Sequence, residues 1–139
     1  MRIGVISDTH GLLRPEAVQA LAGCAHILHA GDVGNDDILD ALRKIAPVTA
    51  VRGNVDNEGA CGALPYTQAI ELAGKLFYVL HRREDLDLHP QAAGVAAIIF
   101  GHSHQPEISR TNGRAIAFEI HQLNHGWYIV DPEKPRIPV

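Results

Sequence analysis

Residues 2–11 read RIGVISDTHG, a short apolar run that ends in a polar loop. Ile and Val favour strands, and a short apolar run without polar alternation is typical of a strand buried on both faces of a sheet. Downstream, Pro15 is suited to the first position of a helix, and Gly23 is suited to end it. This stretch therefore predicts the first strand and helix of an α/β fold.

The same alternation of short apolar runs with helical patterns continues along the chain. The other predicted strands lie at residues 25–30, 48–51, 67–72, 75–80 and 96–100, with a hairpin over 107–120 and a last strand at 128–130. A second helix, capped by Asn35 or Asp36, carries Ile38, Leu39 and Leu42 on its inner face, and a short helix is expected at 86–93. Such βαβ units predict a largely parallel sheet.

Length and composition are those of one ordinary globular domain. The chain has 139 residues, a hydrophobic fraction of 46% and a charged fraction of 20%, so we expect a single domain over residues 1–139. Its net charge is −4 and its Lys and Arg residues are scattered, so no nucleic-acid partner is expected. Association with further copies of the chain is left open.

The cysteines and the hydropathy pattern bear on location. The two cysteines, Cys24 and Cys61, form neither a disulfide framework nor a zinc pattern, which suits a reducing compartment. No segment approaches the length of a membrane span, and the first residues lack a secretory apolar run. We therefore expect a cytoplasmic protein without a membrane partner.

A metal-ligand residue type follows each of five predicted strands. In order along the chain these residues are Asp8, His10, Asp32, Asn54, His81, His102 and His104. The carboxyl ends of the strands in an open α/β sheet line one crevice, so these side chains can converge there. His29 directly precedes the Ala-Gly-Asp at the end of the second strand. It is a candidate for a residue that supports the ligands without being one of them.

Seven oxygen and nitrogen donors exceed what one catalytic transition ion takes from protein, which is usually three. Asp8 and His10 can chelate one ion, and Asp32 could bridge two. Two ions about 3.5–4 Å apart can hold and acidify a hydroxide, which suits phosphoester hydrolysis. The donor mixture suits manganese, iron, zinc or nickel better than calcium, and manganese is the metal that we expect.

Each of these residues also has a structural explanation when it is considered alone. Asp8 could cap a turn, Asn54 could occupy a left-handed turn, and His81 could be a satisfied polar residue. Independent structural roles would, however, have to place a ligand type at five successive strand ends. The joint pattern therefore favours a metal site.

The blocks DTH, GD, GN, a strand-terminal His and GHSH occur in this order over roughly residues 1–113. In this respect the chain resembles the calcineurin-like metallophosphoesterases, specifically their small single-domain phosphodiesterases. The resemblance implies a four-layer α/β/β/α sandwich with a dinuclear metal site. It assigns Asp8, His10 and His104 to the first ion, Asn54, His81 and His102 to the second, and Asp32 to both.

By the same resemblance the chain is a phosphodiesterase that cleaves small phosphodiesters by attack of a metal-bound hydroxide, with Asp32 and Asn54 in catalytic roles. One alternative is a non-catalytic scaffold, because the same fold serves protein interaction in the retromer coat. A nuclease is a third reading, but it would require a basic groove and a capping domain that the sequence does not indicate.

Three departures from the family pattern matter. Val55 stands where many members have a general-acid His, so Asp56 has no imidazole to orient. Arg82 replaces a common Gly, and it could contact a phosphate, although a solvated charge run is the alternative. From about residue 114 the chain leaves the family pattern altogether.

Overall fold

The computed structural model describes residues 1–103, 107–110, 116–119 and 127–132. The strands are β1 (Ile3–Ile6), β2 (His26–His29), β3 (Val48–Ala50), β4 (Thr67–Leu72), β5 (Lys75–Leu80), β6 (Val95–Phe100), β7 (Glu107–Arg110), β8 (Ile116–Glu119) and β9 (Tyr128–Val130). The helices are α1 (Pro15–Leu21), α2 (Asp36–Arg43), α3 (Gly59–Gly62) and α4 (Pro90–Ala93), and a 3₁₀ turn spans Arg83–Asp85.

The strands form two sheets. The first has the order β3-β2-β1-β9, in which β1, β2 and β3 are parallel and β9 is antiparallel to β1. The second has the order β4-β5-β6-β8-β7, in which β5, β6 and β8 are parallel and the two edge strands are antiparallel to their neighbours. The predicted parallel arrangement thus holds for β1–β3 and for β5, β6 and β8, and both sheets are mixed because their remaining strands are antiparallel.

Apolar side chains pack in three layers between and outside the sheets. The core between the sheets contains buried residues of both, among them Ile3, Val5, Leu28, Phe77, Val79 and Ile99. Helices α1 and α2 cover the outer face of the first sheet, and Leu86 and Leu88 pack on the outer face of the second. The four-layer α/β/β/α sandwich is confirmed, with a fourth layer that contains only short segments.

The two longer helices are positioned by a few buried side chains. In α1, Ala17 and Leu21 are fully buried, but Val18 is 38% exposed. In α2, Ile38, Leu39 and Leu42 are buried as predicted. Burial of an aliphatic side chain of this size contributes about 1.5–3 kcal/mol, so these residues hold both helices on the sheet.

The predicted helix at residues 86–93 is shorter than expected, since α4 contains only Pro90–Ala93. Proline disfavours helical backbone at the residue before it, here His89, and this limits the helix on its N-terminal side. The chain before it instead runs past the second sheet, with Leu86 and Leu88 packed inward.

Two turns and the last strand were also predicted. Ala73 and Gly74 between β4 and β5 have φ angles of 51° and 76°, which suit a tight hairpin. Strands β7 and β8 pair as an antiparallel hairpin, while residues 111–115 between them lie outside the described residues. The final strand, β9, is found where it was predicted.

Candidate metal centre

The loops after β1 and β2 lie side by side at the carboxyl edge of the first sheet. The backbone N–H of Asp8 donates to the carbonyl of Gly31 at 2.9 Å, and the N–H of His10 donates to the carbonyl of Asp32 at 2.9 Å. The two aspartates are only 1% and 4% exposed. Burial of two acidic residues at one sheet edge is costly unless cations or hydrogen-bond donors compensate it.

Two groups of potential ligands share Asp32. In one group the ligand atoms of Asp8, His10 and Asp32 lie within 4.8 Å of one another, and in the other group so do those of Asp32, His81 and His102. The Oδ2 atom of Asp32 lies 3.6 Å from Nε2 of His10 and 3.3 Å from Nε2 of His81. This carboxylate therefore stands between the two groups.

Asp8 is oriented by hydrogen bonds to one of its oxygens. Its Oδ2 accepts the hydroxyl of Ser7 at 2.6 Å and the backbone N–H of His102 at 3.2 Å. Its Oδ1 lies 3.8 Å from Nε2 of His10 and 4.0 Å from Nε2 of His81. The second oxygen is thereby directed at the histidines.

His81 is fixed in the tautomer that a metal ligand requires. Its Nδ1 donates to the carbonyl of Ala30 at 2.8 Å, so in the neutral ring Nε2 carries the lone pair. This Nε2 is buried, and within the described part of the chain it has no hydrogen-bond partner of good geometry. Since an unsatisfied buried nitrogen is costly, the donor set fits a divalent ion at this position.

Asp32 and His81 shift the pKa values of each other. Burial opposes ionisation of Asp32, but His81 and the backbone N–H of Val55 outweigh it, and the pKa of Asp32 falls to about 2. Burial lowers the pKa of His81, yet Asp32 and the carbonyl of Ala30 raise it above its ordinary value. The carboxylate is therefore ionised at neutral pH.

Asp56 links the loop after β2 to the loop after β3. Its Oδ2 accepts the backbone N–H groups of Val33 at 3.2 Å and Gly53 at 2.9 Å, and its Oδ1 accepts that of Gly34 at 3.0 Å. The side chain is 2% exposed. Sequence reasoning missed this role, although an Asp in a Gly-rich loop between two ligand segments is a signal for it.

His29 supports the loops of β1 and β2 from below. Its Nδ1 accepts the backbone N–H of Gly31 at 3.1 Å, and its Nε2 is 3.0 Å from the hydroxyl of Thr9, which donates to the carbonyl of Val33 at 2.7 Å. Complete burial lowers the pKa of His29 to about 4. The expected supporting role of His29 agrees with these contacts.

The ligand loops adopt uncommon backbone conformations. The φ angles of Asp8, His10, Asp32 and His102 are 56°, 47°, 55° and 76°. Positive φ in residues other than Gly is strained and concentrates at functional sites. In addition, a Cβ atom at Gly101 would collide with the Asp8 carboxylate, so only Gly allows this approach.

Five of the seven predicted site residues are brought together: Asp8, His10, Asp32, His81 and His102. Asn54 is exposed, and it shares the wall of a cavity with His81. His104 lies outside the described residues. Metal binding by these seven residues stays a prediction.

Comparison with known proteins identifies the family. A sequence model described as the calcineurin-like phosphoesterase superfamily domain matches residues 1–126. The chain belongs to this superfamily. A probable metallophosphoesterase of Methanocaldococcus jannaschii is 35% identical over 100% of the chain and 72% of its own length. Another from Methanothermobacter thermautotrophicus is 37% identical over 78% of the chain and 69% of its own length.

Solved structures of proteins with the calcineurin-like phosphoesterase fold are similar to this chain. An archaeal phosphodiesterase superposes with a TM-score of 0.82 over 100% of both chains, at 19% identity. Vps29 of Chaetomium thermophilum superposes with a TM-score of 0.73 at 20% identity, covering 87% of this chain and 71% of its own. Across the described ranges, no helix combines the length and apolarity needed to cross a membrane.

Proposed function

We propose that this calcineurin-like phosphoesterase is a dinuclear-metal-dependent phosphodiesterase that acts on small phosphodiesters. One observation carries the proposal, namely that two groups of potential ligand residues, of which His10 alone is exposed, share the carboxylate of Asp32. A shared carboxylate is suited to join two ions about 3.5–4 Å apart. Manganese is the expected metal, with iron, zinc or nickel as alternatives.

The ligand residues would bind the metal ions, and hydrogen bonds to the backbone orient them. Asp8, His10 and His104 would hold one ion, and Asn54, His81 and His102 the other, with Asp32 common to both. When bound, such ions supply acidification of a water nucleophile and neutralisation of charge on the phosphoryl group. The bond from His81 to the Ala30 carbonyl keeps the ring oriented without the ions. The side chain of His10 is 38% exposed, which leaves this side of the site open to solvent.

The substrate class is tested with two aryl esters and purified protein loaded with manganese. We expect two metal ions per chain and faster hydrolysis of bis(p-nitrophenyl) phosphate than of p-nitrophenyl phosphate. Chelation followed by dialysis should abolish hydrolysis, and added manganese should restore it. A preference for the monoester would refute the assignment as a phosphodiesterase, although the protein would still be a phosphoesterase.

A protein-interaction scaffold is the alternative, and several structural neighbours are Vps29 proteins, one of them complexed with zinc. The paired ligand groups favour hydrolysis, because a scaffold does not require two groups that share a carboxylate. Two bound ions per chain without cleavage of either aryl ester would favour the scaffold.

A further inference from the structure

A cavity of about 270 Å³ opens beside the candidate metal centre. His81 of the metal centre and Asn54 line it, together with Arg52, Tyr66 and Arg82. Small-molecule sites usually measure about 300–1,000 Å³, so the cavity suits one compact group rather than a long chain. A phosphodiester held at the metal centre would reach it with one of its two ester groups.

The aromatic ring of Tyr66 lines this cavity. Tyr66 is 67% exposed, although an aromatic side chain gains most from burial. The guanidinium carbon of Arg52 lies 5.2 Å from the centre of this ring, and its Nη2 donates to the Asn57 side chain at 3.1 Å. The backbone N–H of Arg52 also donates to the Pro65 carbonyl at 2.8 Å, so the pair is held in place next to the cavity.

The charged residues that line this cavity differ from those of a larger cavity nearby. Arg52 and Arg82 give it two cations, and the charge of Arg82 is partly offset by Glu84 and Asp85, which lie 3.6 Å and 4.0 Å from its Nε. The neighbour, with a volume of about 410 Å³, is lined by three acidic residues, Asp36, Asp56 and Glu58. An anionic diester is therefore favoured in the smaller cavity and disfavoured in the larger one.

We propose that the smaller cavity binds a planar aromatic group of the substrate, such as a nucleobase, stacked against Tyr66 and Arg52. The inference rests on the proposed phosphodiesterase function and names its substrate class, a nucleotide-like diester. Stacking is tolerant of base identity, since every base has a π face, so recognition of planarity rather than of one base is expected.

Two esters with the same leaving group test this proposal. Thymidine 5′-(p-nitrophenyl phosphate) and methyl p-nitrophenyl phosphate both release p-nitrophenolate, but only the first carries a base. We expect the wild type to prefer the thymidine ester. Tyr66→Ala should lower kcat/KM for the thymidine ester about tenfold, mainly through KM, and change the methyl ester less than about twofold. Tyr66→Phe should retain the preference.

Glu58→Gln, at an exposed residue of the larger cavity, is the matched control and should leave both rates unchanged. Equal effects of Tyr66→Ala on the two esters, or none, would overturn the subsite while leaving the hydrolase intact. If the manganese enzyme cleaves neither ester, the proposed function fails. Thymidine 5′-monophosphate binding then decides the subsite: weaker binding by Tyr66→Ala supports it, and equal binding refutes it.

Discussion

The Nε2 atom of His29 lies 3.0 Å from Oγ1 of Thr9, and its neighbours fix the direction of this hydrogen bond. The backbone N–H of Gly31 can only donate, so Nδ1 of His29 is the acceptor there. The carbonyl of Val33 can only accept, so the hydroxyl of Thr9 donates to it. The oxygen of Thr9 then accepts a hydrogen bond from the N–H at Nε2 of His29. The ring is consequently neutral in the folded protein.

Acid should destabilise the metal-free protein through His29. The unfolded ring binds a proton near pH 6.5, whereas burial delays protonation of the folded ring to about pH 4 despite the opposing charges of Asp56 and Asp32. His81 and His10 add to the lowering. The contribution of His29 to stability is therefore full above pH 6.5 and falls by on the order of 3 kcal/mol as the pH drops to about 4.

Denaturant unfolding in EDTA at several pH values measures this effect. His29→Asn retains an acceptor for Gly31 but cannot titrate, so its free energy of unfolding should depend less on pH over this interval. Parallel profiles of the two proteins would show that other groups cause the acid sensitivity.

Loss of the shared carboxylate should affect both metal ions. We expect Asp32→Ala to reduce metal content below that of His10→Ala, since only Asp32 belongs to both ligand groups. Loss of a supporting residue costs about 10–100-fold in metal affinity or activity, so loss of Asp32 should exceed about a hundredfold in activity. Metal analysis and hydrolysis of bis(p-nitrophenyl) phosphate measure both effects. Similar metal content in the two variants would argue against bridging.

Asp56 should stabilise the site without binding metal. Asp56→Asn replaces one acceptor oxygen with a donor opposite backbone N–H groups, including those of Val33 and Gly53. We expect a loss of about 1–3 kcal/mol in the free energy of unfolding and weaker manganese binding. The exposed Asp37 on α2 provides the control Asp37→Asn, which should change neither. Manganese titration that finds wild-type affinity in Asp56→Asn would contradict the linking role.

Leaving-group protonation should be weak, because Val55 supplies no acid. General acid catalysis is typically worth ~10²–10⁴-fold, so we expect the rate to depend steeply on leaving-group pKa across a series of aryl and alkyl diesters. Val55→His should flatten the dependence only in part, because the two oxygens of Asp56 already accept three backbone N–H groups, which leaves little acceptor capacity to orient a new ring. A flat dependence in the wild type would identify another acid.

The sequence predicted the strands, and which polar residues meet at their ends, better than it predicted the hydrogen bonds that hold the loops together. The strand ends carry polar residues after uninterrupted apolar runs, and this pattern is local, so Asp8, Asp32 and His81 could be placed together before the structure was known. The contacts of Asp56 join loops that are about twenty residues apart, and no local pattern contains that information.

Helix lengths were predicted less well, for reasons visible in the structure. A helix was predicted over residues 86–93, but Leu86 and Leu88 pack against the second sheet from extended or turn backbone. The short helix α3 was missed because its start depends on Asp36, a distant residue whose carboxylate accepts the N–H groups of Ala60 and Cys61.

Strand β9 pairs with β1, so the end of the described chain lies against its beginning. Residues Ile3 and Val130 face each other across this pair. During synthesis β1 can join β2 early, but its other edge stays open until residues 128–130 of β9 have left the ribosome. Contacts of such long sequence separation slow folding, and an open apolar edge invites intermolecular pairing. The growing chain therefore keeps an aggregation-prone edge until β9 is added.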